Sequence, residues 1–471
     1  SYGDTYPTFM GAIGMTYEQA GHGRAGLGIN TDEGFELTLV DRVAHHTTTG
    51  LSTVEVANNN IDRLNRAFKA YFKNDDLKYK SYVLKGHPDK IKALTQLLDL
   101  HEIAYGVTSE TAVNGYRYGT NDTGSMQSAG ALVISTNQPK GKMVKVLFEP
   151  NAALSNPLTY DITAWSLPQA YGLEAVASTR LIAANGSNSN VPVVNQVGPQ
   201  GAGYIVSWNS LYDAKFLSEL LQQDIKVRFS EKDLIFNGKE FARGSLLITK
   251  SDNRKLDNFQ ELVAKSANKH GRTLHAIASS FSDNGTDFGS PDIKLVPKNR
   301  IAVLQGEGTS SLSYGAIWHF FEQQLQYPVT SINTNDFNPK ALQQFDVLVM
   351  PSGWYGAMAS EEAMDGLKDW IRSGGKVIAI GNAVSAFSGQ SGFDLERNKE
   401  EDSSEENSEE IALIPYDQRE QSRLTNFITG SIYKIKLDSS HPMAFGYDDT
   451  YFSLKLGSSS YRYLENGYTV G

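Results

Sequence analysis

Two stretches of this 471-residue chain align with each other, and that internal repeat restricts the fold more than any other feature. "YVLKGHPDKIKALTQLLDLHEIAYGV" (82–107) and "YIVSWNSLYDAKFLSELLQQDIKVRF" (204–229) both read as a short strand, a helix and a second short strand. Each is followed by an Asn-Gly pair, Asn114-Gly115 and Asn237-Gly238, which we read as turns. A Gly-led strand comes next in both, "GALVIST" (130–136) and "GSLLITK" (244–250). The Asn-Gly offset is 123 (237 − 114) and the later strand offset 114 (244 − 130), so the first copy carries an insertion, "TNDTGSMQS". Two copies predict a paired α/β module over residues 76–297, with repeat units at about 80–136 and 202–250, because a solenoid needs at least three.

From Asn299 the pattern changes to "RIAVLQ", "SYGAIWHFFEQQL", "PVTSIN", "FDVLVM", "SEEAMDGLKDWIRSG" and "KVIAIG". Apolar strands separated by helices predict a parallel sheet covered on both faces, flavodoxin-like or doubly wound, over residues 298–471. Ahead of the repeat, Val43, Leu51, Val54, Ile61, Leu64, Phe68 and Phe72 recur at helical spacings. They predict one long amphipathic helix from Leu39 to about Phe72 with a core-facing stripe, ended by the charged "KNDDLK".

A chain of this length predicts two to four domains. With 40% hydrophobic and 20% charged residues, the composition is that of a folded, soluble protein. No apolar run is long enough to span a bilayer, and no basic-then-apolar signal segment opens the chain, which starts without Met and in mid-motif. We therefore expect a piece of a longer protein. Zero cysteines exclude disulfides, thiolate nucleophiles and Cys-ligated metals, and leave the compartment open. Of the net charge of −10, the stretch "ERNKEEDSSEENSEE" (396–410) carries −6, and it reads as a solvated acidic loop. No basic stripe with interleaved aromatics appears, so nucleic acid is not an expected partner. The oligomeric state has no signature in the sequence.

The segment "GAIGMTYEQAGHG" (11–23) holds the main candidate for chemistry. Read as a strand, "AIGMTYE" puts Ile13, Met15 and Tyr17 on one face and Gly14, Thr16 and Glu18 on the other. Glu18 then emerges on a face with little bulk, which suits a general base beside a ligand. A strand-end glutamate in a salt bridge is the structural alternative.

"YGDTYPTFMGAIGMTYEQAGHG", followed by the helix containing "TTGLSTVEVA", resembles the last strand and terminal helix of a zinc carboxypeptidase domain of the carboxypeptidase A type. The similarity is greatest to large bacterial secreted members, and "YDITAWSLPQAYG" (160–172) and "HPMAFGY" (441–447) resemble segments that follow the peptidase domain there. The resemblance implies a peptide substrate, a secreted or periplasmic setting, and Glu18 as the glutamate that promotes attack of zinc-bound water and shuttles its proton. It also implies a mobile substrate-contacting tyrosine, for which Tyr2 and Tyr6 both remain open, while Arg24 is open to either a substrate carboxylate or a structural ion pair. Gly21, Gly23 and Gly26 read as loop geometry. The family's zinc ligands, an H-x-x-E pair and a later His, precede the catalytic glutamate. Only seventeen residues precede Glu18 here and none is His, so the ligands are expected upstream of Ser1 and no metal site in this chain.

"HFFE", His319 to Glu322, also spells H-x-x-E, with His441 a candidate third ligand, but its aromatic flanks make a partly buried helix histidine the better reading. His45 and His46, adjacent on the long helix, read as helix surface. The tail resembles class I glutamine amidotransferases in outline, with Ala383 near the place of the nucleophilic Cys and His441-Pro442-Met443 where "HPE" belongs. Ser385 has no support as a substitute nucleophile, and a domain that binds or braces is the better expectation. The glycines of "LQGEGTSS" (304–311) read as a tight turn before a helix.

The expected fold class is thus α/β in three parts. Residues 1–75 are a carboxyl-terminal piece of a carboxypeptidase-type domain, 76–297 a duplicated α/β module, and 298–471 a flavodoxin-like, amidotransferase-like domain. The expected function is zinc-dependent peptide hydrolysis with Glu18 as general acid and base. The alternative is a non-catalytic peptide- or glycan-binding or scaffolding protein with an inert peptidase remnant.

Overall fold

The computed structural model describes residues 5–19, 27–152, 166–186, 193–196, 201–398, 413–419, 421–422, 428, 430–457 and 459–471. Helices and sheets are mixed, and both parallel and antiparallel sheets occur, an α/β architecture in the broad sense. The chain divides into two compact units, Ser1–Ser155 with Trp165–Ser189 and Asn156–Ala164 with Asn190–Gly471.

The first unit begins with α1 (Thr5–Phe9), the small antiparallel pair β1 (Gly28–Asn30) and β2 (Glu36–Thr38), then α2 (Leu39–Asn59) and α3 (Ile61–Tyr71). A reciprocal cap starts α2: Thr38 Oγ1 accepts the Asp41 N–H at 3.2 Å and Asp41 Oδ2 accepts the Thr38 N–H at 3.0 Å. The single long helix expected from the periodicity is two helices. Asn60, with φ −122°, leaves the helical region, and its side chain donates to the Val56 carbonyl at 2.8 Å, a local bond that competes with the helical ladder. The expected core-facing stripe is also corrected. Neither helix has a buried residue, and Val43, Leu51, Val54 and Phe68 are exposed.

β3 (Ser81–Lys85), α4 (Pro88–Leu100), β4 (Tyr105–Val107), β5 (Ala112–Arg117), β6 (Asp122–Gln127), β7 (Leu132–Ser135), α5 (Gly141–Phe148), α6 (Leu167–Ala170) and β8 (Glu174–Ser178) complete this unit. They form an antiparallel sheet of order β4-β7-β3-β8-β5-β6. Strand alternation divides its core. Tyr82, Leu84, Leu132 and Ile134 pack with Leu94 and Leu98 of α4 and Val144 and Phe148 of α5, while Val83, Val133 and Val176 meet Val113 and Met126 on the opposite face. Asn114-Gly115 is not a turn: both lie within β5, where Gly115 pairs with Gly124. A Cβ on Gly115 would stand 2.3 Å from the Ala177 carbonyl oxygen, so close approach of β5 to β8 explains the glycine. The insertion "TNDTGSMQS" builds β6.

In the second unit, β9 (Gly203–Val206), α7 (Leu211–Gln222), β10 (Arg228–Ser230), β11 (Leu234–Phe236), β12 (Lys239–Phe241), β13 (Leu246–Thr249), α8 (Phe259–His270), β14 (His275–Ile277) and β15 (Ile293–Leu295) follow in order. In the sheet order β14-β9-β13-β10-β15, the run β14-β9-β13-β10 matches β8-β3-β7-β4 of the first sheet strand for strand, with every pairing antiparallel and β15 added at the edge. Both are split βαββαβ arrangements. Tyr204, Val206, Leu246 and Ile248 pack on Phe216, Leu220, Phe259 and Val263. The β11-β12 hairpin covers the other face through Leu234, Phe236 and Phe241. Asn237 (φ 53°) and Gly238 (φ 71°) form the tight turn of that hairpin.

β16 (Ile301–Gln305), α9 (Ser311–Trp318), β17 (Thr330–Asn333), β18 (Val347–Met350), α10 (Glu361–Arg372) and β19 (Lys376–Ala379) form a parallel sheet of order β17-β16-β18-β19. Ala302, Leu304, Leu348 and Met350 bury one face against Met364, Leu367 and Trp370, and Val303, Val347 and Val349 bury the other beside Tyr314 and Ile317. The antiparallel hairpin β20 (Ser431–Lys436) and β21 (Thr450–Lys455) follows. Of the acidic stretch 396–410, residues 399–410 lie outside the described residues.

Candidate functional site

From Ala12 to Gln19 the chain forms neither helix nor strand, so the strand expected over "AIGMTYE" is not present there. The segment's side chains nevertheless divide between two surfaces. Ile13 and Met15 line an apolar groove of about 470 Å³ with Val56 and Leu64, while Thr16 and Glu18 line a cleft of about 380 Å³ with His45 and His46. Tyr17 and Thr49 border both. Side-chain contacts fasten the segment to α2: the Tyr17 hydroxyl lies 2.8 Å from Thr53 Oγ1, and Gln19 Nε2 lies 2.8 Å from His45 Nδ1.

The helical period explains the other wall. His45 and Thr49 are one turn apart on the same face, and Thr49 Oγ1 donates to the His45 carbonyl at 2.8 Å. At the start of the helix, hydrogen bonds from the Thr38 side chain and backbone hold the Asp41 carboxyl below its usual range. Both histidines are helix surface, as expected, yet the surface they occupy is the one Glu18 faces across the cleft. Sequence reasoning misses that grouping, because nothing in the helical period says which other segment lies alongside. Glu18 is exposed, so its carboxylate is open to a ligand entering the cleft.

The remaining candidates disperse. Tyr6 sits on α1, its hydroxyl 3.1 Å from His101 Nδ1 and its ring packed on the same imidazole. It does not line the Glu18 cleft. Tyr2, Arg24, Gly21, Gly23 and Gly26 lie outside the described residues. Among the described residues no three His, Asp, Glu or Cys side chains meet as a metal-holding group, so those residues do not fit the zinc that the resemblance implies.

His319 opens a π-helical segment, His319–Leu325, and is exposed rather than partly buried. Its Nδ1 meets Gln324 Nε2 at 3.3 Å, while Glu322 accepts the Val329 N–H at 3.0 Å. His441 turns to its own loop, Nδ1 accepting the Met443 N–H at 3.2 Å, and its ring packs against Tyr468. At the elbow after β19 the left-handed residue is Gly381 (φ 57°), which has no side chain to offer. Ala383 is fully buried, and Ser385 Oγ donates to the Asn382 carbonyl at 2.7 Å. Across the β16 and β18 ends, Ser310 N–H to the Ser352 carbonyl (2.9 Å) and Trp354 N–H to the Gly308 carbonyl (2.7 Å) close the glycine loop onto its neighbour. A tight turn accounts for these glycines.

Compared with protein-family models, with curated proteins and with solved structures, the chain matches none.

Proposed function

We propose that this chain is part of a zinc carboxypeptidase-like hydrolase acting on peptides, secreted or periplasmic, with Glu18 as its general base and acid. The observation that carries the reading is the placement of Glu18, exposed in a cleft beside His45 and His46 and adjoining an apolar groove. Glu18 takes a proton from the water whose oxygen attacks the scissile carbonyl carbon, and returns it to the amine nitrogen as the C–N bond breaks. The groove gives a peptide side chain an apolar bed, with Arg63 on its lining. Zinc in such an enzyme lowers the pKa of its water. The resemblance puts its ligands ahead of Glu18 in chain order.

The shared strand order of the two antiparallel sheets supports a duplicated module within 76–297. The order β17-β16-β18-β19 supports a flavodoxin-like body over 298–471 that binds or braces. The second reading is a non-catalytic peptide- or glycan-binding or scaffolding protein with an inert peptidase remnant, which the apolar groove beside Glu18 also suits.

The two readings separate on one experiment with the full-length protein and N-blocked dipeptides. Release of the carboxyl-terminal amino acid, abolished by a chelator and restored by zinc, supports the hydrolase. Peptide that is bound but never cut, at any zinc concentration, supports the binder.

A further inference from the structure

We propose that a cleft between the turn after β9 and the loop joining β20 to β21 binds a neutral saccharide. The cleft measures about 460 Å³ and is lined by Trp208, Asn209, Asp233, Arg243, Tyr447 and Asp448 among others. That volume lies within the roughly 300–1,000 Å³ of small-ligand clefts.

Its aromatic floor is held from several sides. Gly446 (φ 86°) lies against Trp208 so closely that a Cβ there would stand 2.8 Å from Cδ1 of the indole. The Asp213 carboxylate accepts the N–H groups of Asn209 and Ser210, each at 2.8 Å, and is anchored in turn by Arg272 at 2.8 Å. The turn that carries Trp208 is therefore fixed before any ligand arrives, which lowers the ordering cost of binding.

Charge decides the class of ligand. Arg243 sits 3.5 Å from Asp233, with Asp448 on the same lining, so both signs are interleaved within one cleft. A cation meets Arg243 and an anion meets the carboxylates, whereas a neutral polyol donates hydroxyls to Asp233 and Asp448 and accepts from Arg243 and Asn209. The apolar face of a sugar ring packs on the exposed side of an aromatic ring, which Trp208 and Tyr447 supply.

The first sheet acts as a control within the same molecule. At the repeat offset of 122 (204 − 82), Trp208 aligns with Gly86 and Asn209 with His87. His87 is used for the fold: its Nδ1 accepts the Asp89 N–H and caps α4. In the second sheet Ser210 caps α7 and Asn209 is left on the cleft wall. The left-handed glycine before the third strand is common to both, Gly130 (φ 75°) and Gly244 (φ 88°), and belongs to the fold. The aromatic residue and the amide do not.

The test is calorimetric titration of the full chain with glucose, galactose, mannose, N-acetylglucosamine and cellobiose, with tetralysine and citrate as charged comparators. We expect millimolar binding of at least one sugar, weakened about tenfold or more by Asn209→Ala and by Tyr447→Ala, two exposed rim residues whose loss leaves the core intact. No sugar bound at concentrations on the order of 10 mM, binding unchanged in both variants, or binding of tetralysine or citrate instead overturns the proposal.

Discussion

Arg228 grips Asp252 with two hydrogen bonds, Nε to Oδ2 at 2.7 Å and Nη2 to Oδ1 at 3.0 Å, and Thr249 Oγ1 adds a third at 2.7 Å. The Arg228 bonds are the largest reason the Asp252 carboxyl titrates below its ordinary value. Because the folded pKa is the lower one, the pair stabilises fully above the unfolded carboxylate value of about 4, and that contribution is lost as pH falls through the folded value. Chemical denaturation of wild type and Asp252→Asn should differ by roughly 1–2 kcal/mol near pH 7 and converge under more acid conditions. A difference that grows on acidification contradicts this.

Gly115→Val should destabilise the protein by about 2 kcal/mol or more, since the new side chain meets the Ala177 carbonyl and Val176 across the sheet. Were Gly115 a turn residue, a side chain there would point to solvent. Thermal unfolding of the variant distinguishes the two, and an unchanged Tm refutes the pairing of β5 with β8.

The outward-facing stripe of α2 predicts an asymmetry between two apolar substitutions. Leu51→Gln, at a position 68% exposed, should change stability by less than about 0.5 kcal/mol. Leu94→Ala, at a fully buried position, should cost about 2–5 kcal/mol. Equal costs at the two positions contradict the burial assigned to them.

Since the chain has no cysteine, Ala383→Cys creates a single-thiol protein that reports on the elbow. Ala383 is fully buried, so the thiol should resist a water-soluble alkylating reagent until denaturant is added. Rapid alkylation of the native variant shows that the elbow presents position 383 to solvent.

How far these features can be read in advance depends on the distance over which each is determined. The stretches 82–107 and 204–229 each fold as strand, helix, strand, because apolar spacing within about twenty-five residues decides them. Ile13 and Met15 line one surface and Thr16 and Glu18 another, but the strand expected from the alternation does not form and Tyr17 borders both. Gly115 reads as a turn in sequence because its real reason is Ala177, in a strand that lies sixty-two residues onward (177 − 115) and reaches it only through the sheet. The break at Asn60 comes from one side-chain bond that interrupts an otherwise continuous apolar period. His45 and His46 gain meaning only with the segment Ala12 to Gln19 beside α2, and Trp208 only with the loop at Gly446 against it.

The most direct measurement is kcat for peptide hydrolysis by the full-length protein and its Glu18→Gln variant, with zinc content and Tm recorded for both. Glu18 is exposed, so the substitution should leave Tm and zinc unchanged while kcat falls by roughly 10²–10⁴-fold. A variant that binds zinc, keeps its Tm and cuts peptides at the wild-type rate contradicts the role assigned to Glu18.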